Sequence, residues 1–523
     1  MNEDPITEGA NKSDKIRSTQ GMTARVVKGS AWTMVGTFIP LAISFMATPF
    51  VIRRLGSEGY GVFALIGLIP TYFAFADFGM NMASTKFGSQ AYAMGCLPDE
   101  AEVIRTAAVI TFLTSLPIAI LLFIFSTFIV VALNVPLNLQ YDASLGLQFA
   151  SVTFVINFLN NVLNSPQLAR LRMDLNILVT SSFRTFGIVG VPIVLYFGGG
   201  IAYAVFILMV ASLFTLIGHI VVSGRLNPAL YGVTIDSNLI KPLLKFGSAL
   251  SLSAIAGVLL VNLEKVVLTR VTSVQVLAYY TVAFTFASMA TMFTGSMAQS
   301  LIPAFSQLLL PEKREQLNRL IRSSLRINVF GLLPVIGILF IIAKPFFTVW
   351  AGDDFGREST WPFYILLTGL FFNLNAYIPG SLLLAAGRTD ILAKVFWIEL
   401  VPYIFVAGVL TTYFGAVGAA TAWSLRVVAD CLIVFLLAKR LLGVQFRFVD
   451  RFQHLVFGIA VLSLPILIAW VFGFSGWALM LSLVCTAVYP LIIWRSNIDD
   501  SEKTWLQAKL VGMLGRFGWT ANR

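Results

Sequence analysis

The chain has 523 residues, 58% of them hydrophobic and only 12% charged, with a mean hydropathy of +0.85. Soluble domains carry about 25% charged residues, so a water-soluble core is excluded, and recurrent apolar runs of roughly 20 residues mark a polytopic helical membrane protein. The net charge of +11 does not point to nucleic acid, because the basic residues sit in turns between apolar runs.

Residues 1–28 form a polar tail of mixed charge, expected to be disordered and cytoplasmic, with no cleavable leader evident. Ser30 to Ile52 is apolar, broken only by Pro40 and Pro49. Arg53 to Gly61 is a short polar turn whose glycines at 56, 59 and 61 suit a tight reversal. A second apolar run ends at Asp77-Phe78-Gly79, giving a transmembrane hairpin with spans near 30–52 and 58–78. Four more spans are expected near 106–133, 144–165, 176–197 and 201–223. A polar connection over 225–243 leads to a second set near 246–268, 276–302, 327–350, 361–386, 391–414 and 416–438. A last hairpin near 453–473 and 477–494 brings the expected count to about fourteen helices.

The fold class is therefore all-α: a six-helix lobe over 29–224, a second over 244–440, an extra hairpin within 441–495, and a tail over 496–523. Lys28-Gly29-Ser30 opens the first set and Lys245-Phe246-Gly247-Ser248 the second. An even number of helices per half makes such repeats parallel, related by an axis along the membrane normal.

The first hairpin carries Leu55, Gly56, Tyr60 and Gly61 in the order Leu-Gly-x-x-x-Tyr-Gly, then Asp77 and Gly79, and a later turn reads Ala386-Gly387-Arg388. With the hydropathy pattern over about 25–495, this resembles the polysaccharide-transporter (O-antigen flippase) branch of the multidrug/oligosaccharidyl-lipid/polysaccharide exporter superfamily. The resemblance implies two lobes of the multidrug-exporter kind and a flippase of undecaprenyl-diphosphate-linked oligosaccharides in a bacterial inner membrane. It also implies a downstream polysaccharide polymerase as a partner. A cation-coupled multidrug antiporter of the same superfamily is the alternative. A polymerase or glycosyltransferase would need a large extramembrane loop with catalytic residues, and the connections here are short.

Charges inside spans are costly in hydrocarbon and are candidates for function. Arg184 lies amid Thr180, Ser181, Ser182 and Thr185, placed either to reach the cytoplasmic interface or to face a cavity. Arg426 lies near the middle of the twelfth span with Asp430 one turn on, either a self-neutralising ion pair or a substrate or proton site. Glu264 and Asp77 are the other candidates for ion coupling. Lys265, adjacent to Glu264, reads as an interfacial anchor, and Asp77 also suits a structural hydrogen bond at a helix break.

Thr153, Asn157, Asn160, Asn161 and Asn164 share an arc of roughly 100° on the fourth span. Asparagine amides suit sugar hydroxyls, so Asn157, Asn160, Asn161 and Asn164 join Arg184 and Arg426 as candidate substrate contacts. Thr281, Thr285, Ser288, Ser296 and Gln299 form a second polar face, expected to be a packing seam. No Walker-type glycine loop is present, and His219, His454, Cys96, Cys431 and Cys485 have no metal-ligand spacing, so neither enzymatic activity nor a cofactor is expected.

Most of the 36 lysines and arginines fall in segments on one side; the opposite segments hold only Arg53, Arg54, Lys265, Arg270, Lys344 and Arg357. This places both termini in the cytoplasm. Reporter fusions after Gly200 should accordingly read as periplasmic and fusions after Pro311 as cytoplasmic. The same side for both would overturn the helix order.

Overall fold

The computed structural model describes residues 5–232, 234–444, 480 and 484. The expected tail over 496–523, and the expected hairpin over 453–473 and 477–494 apart from Met480 and Val484, lie outside the described residues. Two compact units divide the chain, Met1–Tyr279 and Tyr280–Arg523. No strand occurs among the described residues, and eight stretches there are long and apolar enough to cross a membrane.

In the first unit, α1 (Pro5–Leu68) breaks at Gly56 (φ 73°, ψ 172°), so it carries the first two expected spans. The tail expected to be disordered is helical from Pro5. Pro70 then turns the second span into a 3₁₀ segment, Ile69–Asp77, where a continuous α-helix was expected. The chain continues as α2 (Met80–Ala93), α3 (Leu97–Ile124), α4 (Ser126–Ala132), α5 (Leu137–Leu163) and α6 (Ser165–Ala169). Next come α7 (Met173–Tyr196), α8 (Ile201–Leu226) and α9 (Ser237–Val271), and α10 (Val274–Met289) runs across the unit boundary.

The second unit holds α11 (Thr291–Leu308), α12 (Arg314–Ala351), α13 (Asp353–Glu358), α14 (Thr360–Ala385) and α15 (Thr389–Leu442). A break at Gly415 (φ 55°, ψ −131°) splits α15 into the two expected spans. The span expected over 276–302 is instead two shorter helices, α10 and α11, meeting near Ala290.

Each unit has an apolar core. In the first, Leu65, Ile66, Leu147, Ile201 and Leu277 pack together; in the second, Phe305, Ile321, Leu382 and Phe435 do so. Exposed residues such as Phe128, Ile398 and Phe405 give the helices the lipid-facing surface that the composition requires.

The ends of the first unit's helices are tied by charge. Glu100, in the first turn of α3, is fully buried and meets Arg170 in a two-pronged pair of 2.5 and 2.9 Å. Asn227 donates to the same carboxylate (2.9 Å) and to the Leu97 carbonyl (2.8 Å). Arg170 also donates to the carbonyls of Pro166 and Leu226 and lies 4.2 Å from the Tyr92 ring centroid. Four connections therefore converge on one ion pair. Arg105 of α3 reaches the carbonyls of Ala229 and Thr234, so the connection over 225–243 is held to the first unit rather than hanging free.

Removing one partner of a buried pair leaves the other charge uncompensated, which costs about 3–5 kcal/mol. Arg170→Ala should therefore lower the thermal unfolding midpoint of the purified protein clearly. The exposed Arg319→Ala, which breaks a surface pair with Glu315, should leave it within error. Equal midpoints for the two would show that the buried pair contributes nothing beyond a surface one.

Candidate functional site

The residues around the first hairpin are scaffold. Gly56 adopts a left-handed φ with open space around it, so the backbone conformation is what requires glycine there. Gly61 requires glycine for a different reason: a Cβ would run into the Val274 carbonyl of α10. Asp77 accepts a hydrogen bond from the Gly79 amide (2.9 Å), closing a turn in which Phe78 and Gly79 are both left-handed. A Cβ on Gly79 would sit 2.6 Å from the Gly247 carbonyl of α9. Asp77 thus serves the structural bond at a helix break.

Tyr72 in the 3₁₀ segment donates to the Asn262 carbonyl, and Lys265 donates to the Asn262 side chain (2.7 Å). Lys265 is 8% exposed and Glu264 is fully buried. The headgroup anchor expected for Lys265 is therefore corrected: the 3₁₀ segment packs on α9 and covers it.

The asparagine face of α5 divides. Asn157 and Asn161, one turn apart, are exposed. Asn160 is buried and donates to the Ser212 carbonyl of α8 (3.3 Å), while Asn164 forms the C-terminal cap of α5. Arg184 is exposed on α7 and makes no ion pair among the described residues. Both α5 and α7 pack on α8, so Arg184 and the asparagines are carried by helices on either side of it. His219 is packed, with Nδ1 3.1 Å from Gln167 Nε2 and Nε2 3.3 Å from the Thr180 hydroxyl.

In the second unit the polar seam centres on a residue that the sequence did not single out. Asn328 accepts from the Thr294 hydroxyl (2.8 Å) and donates to Asn375 Oδ1 (3.1 Å) and the Leu374 carbonyl (3.3 Å). Of the expected serine/threonine face, Thr285 is exposed, and Thr281 and Ser288 are half-buried.

Of the two readings open for Arg426 and Asp430, a direct ion pair is not formed among the described residues. The Arg426 guanidinium reaches across the hairpin of α15 to lie 5.9 Å from the Tyr403 ring centroid, and its Nε is buried with no hydrogen-bond partner. Asp430 feels the Arg426 charge and also faces Glu399. Glu399 is 5% exposed and Asp430 8%, and Glu399 Oε1 and Oε2 and Asp430 Oδ1 all lack a donor among the described residues. Glu399 was legible in principle, as a lone acid in the apolar run Trp397 to Val401.

The sequence profile of the polysaccharide biosynthesis protein family matches residues 26–309. A Shigella flexneri protein named for O-antigen transport is 25% identical over 422 residues, which is 80% of this chain and 99% of that protein. The solved structure of the lipid II flippase MurJ in an inward closed conformation superposes with a TM-score of 0.66 at 13% identity, covering 89% of this chain and 99% of MurJ. An inward-facing multidrug resistance MATE family transporter of the MOP superfamily also scores 0.66 at 13% identity, covering 78% of this chain and 98% of its own. At these identities the two structures share the fold with this chain.

The contacts of the glycines order their substitutions. Gly61→Ala adds a methyl group against backbone, and overpacking of that kind costs about 1–3 kcal/mol. Gly79→Ala adds left-handed strain of about 1–2 kcal/mol to a similar clash. Gly67→Ala, in helix with open space, should gain about 0.5–1 kcal/mol. Thermal midpoints in lipid nanodiscs should fall for the first two and hold or rise for the third.

Proposed function

The chain belongs to the polysaccharide biosynthesis protein family, and from that membership we propose that it is a flippase for an undecaprenyl-diphosphate-linked oligosaccharide. It carries this unit from the cytoplasmic to the outer leaflet by alternating access, for exopolysaccharide, capsule or O-antigen synthesis. The observation that carries the reading is the match of 80% of this chain to 99% of a protein named for O-antigen transport. The setting is the bacterial inner membrane with both termini cytoplasmic, and a polysaccharide polymerase consumes the product.

The physical task agrees with the residues available. A glycan and its diphosphate cannot cross hydrocarbon bare, so they need polar, partly cationic surface while the polyprenyl tail stays in lipid. Asn157 and Asn161 offer exposed amides. Arg184 and Arg426 offer guanidinium forks that bind phosphate oxygens in pairs at permanent charge. A cation near low-dielectric surroundings attracts a diphosphate far more strongly than it would in water. No step requires a cofactor or a covalent intermediate.

Two lobes, 29–224 and 244–440, related by rotation about the membrane normal, are the halves that alternate in this reading. A cation-coupled multidrug antiporter is the competing assignment, favoured by the shared fold with the MATE transporter. Deletion of the gene separates them: lipid-linked repeat units should accumulate on the cytoplasmic face, whereas an antiporter's loss would sensitise cells to cationic dyes.

For Arg426, glycan export at matched membrane abundance should rank wild type, then Arg426→Lys, then Arg426→Ala, with Arg426→Glu lowest. Lysine keeps the charge and loses the fork; glutamate repels the diphosphate. Full export by Arg426→Glu would remove this residue from the substrate path.

A further inference from the structure

The hairpin of α15 brings two pairs of side chains together in antiparallel register. Glu399 and Tyr403 are one turn apart on its first half, Arg426 and Asp430 one turn apart on its second. Tyr403 meets Arg426, and Glu399 meets Asp430. The first contact is a cation over a ring. The second joins two groups of like charge, both buried, with no protein donor among the described residues on either Glu399 oxygen or on Asp430 Oδ1.

Two ionised carboxylates cannot share such a place. Like charges in low dielectric repel strongly, and an unpaired buried carboxylate is costly by itself. Arg426, whose guanidinium carbon lies 5.9 Å from the Tyr403 ring centroid, supplies one compensating charge to the two acids and no more. The other groups facing the pair do not neutralise it. Tyr377 approaches Asp430 from α14, and Cys431 adjoins it on α15 itself. A single proton between the two carboxyls satisfies one oxygen of each and brings the three groups to zero net charge.

We propose that Glu399 and Asp430, balanced by Arg426, form a proton-binding site within the second unit. When the proton leaves, one O–H bond breaks, the proton passes to water, and the three groups are left with one negative charge. The site joins the two halves of α15 across the bend at Gly415, where a Cβ on Gly418 would meet the Leu410 carbonyl. Its second half is also fixed to α14, since Gly369 lies against Ser424 and the Ser424 hydroxyl donates to the Ile365 carbonyl (2.8 Å). Loss of the proton therefore sets Glu399 and Asp430 against each other across the two halves of the hairpin. Its use in driving transport rests on the flippase reading; its existence does not.

The test is infrared difference spectroscopy of the full-length protein in vesicles of bacterial phospholipid, titrated across neutral pH in choline chloride without glycan. A protonated-carboxyl stretch, shifted down in deuterium oxide, should titrate in the wild type. It should be lost or displaced in both Glu399→Gln and Asp430→Asn, and kept in Asp390→Asn, where the acid is exposed. Arg426→Lys, which retains every carboxyl, guards against variants that do not fold and should shift the titration without abolishing the band. No titrating carboxyl band in the wild type overturns the proposal. So does a band indifferent to both Glu399→Gln and Asp430→Asn. Glycan export, measured separately, decides the flippase reading whichever way the spectra fall.

Discussion

Water cannot follow a polar group into a stack of apolar helices, so each such group must find its partner within the chain. The first unit shows the consequence most fully. The Glu100 carboxylate collects Arg170 and Asn227, and those two side chains reach on to the carbonyls of Leu97, Pro166 and Leu226. One buried acid thereby fixes the ends of α3, α6 and α8. His219, Gln167 and Ser223 repeat the device higher on α8, where the Ser223 hydroxyl closes on the Leu163 carbonyl (2.6 Å).

Close backbone approach is the second means of assembly. Gly61 against Val274, and Gly79 against Gly247, let α9 and α10 lie directly on the hairpin formed by α1 and the 3₁₀ segment. Small residues at helix crossings gain dispersion contacts where the hydrophobic effect between helices is absent. Of the motif glycines, Gly61 and Gly79 are therefore explained by assembly, and Gly56 and Gly387 by left-handed φ. They say nothing directly about cargo, which has to be argued from the charged and amide side chains that assembly leaves over.

The second unit observes the same rule at Asn328 and suspends it at Glu399 and Asp430. Asn328 spends both its donor and acceptor groups on α11 and α14. Among the described residues the two buried carboxyls find each other, the Arg426 guanidinium and, for Asp430, the approach of Tyr377. Other buried polar atoms also lack a partner, among them Thr411 Oγ1 and Trp423 Nε1 on the same hairpin, but the carboxyls carry the larger cost because they can hold charge.

Hydropathy by itself determined the class of protein and where its long apolar stretches lie, because crossing hydrocarbon demands runs of about 20 apolar residues whatever the tertiary arrangement, but not the 3₁₀ segment at Ile69–Asp77 or the division of 276–302 into two helices. The glycines at 56 and 415 fall at the breaks between expected spans, as their backbone freedom requires. Local sequence also placed Asp77 at a turn. Tertiary structure alone decided which polar residues are spent on assembly. Asn160 and Asn164 look the same in sequence as Asn157 and Asn161, yet α8 covers one and the end of α5 takes another. Arg426 and Asp430, one turn apart, suit an ion pair or a substrate or proton site until the first half of the hairpin sets Tyr403 and Glu399 beside them. Helical spacing tells which residues share a face; only the neighbouring helix tells what that face meets.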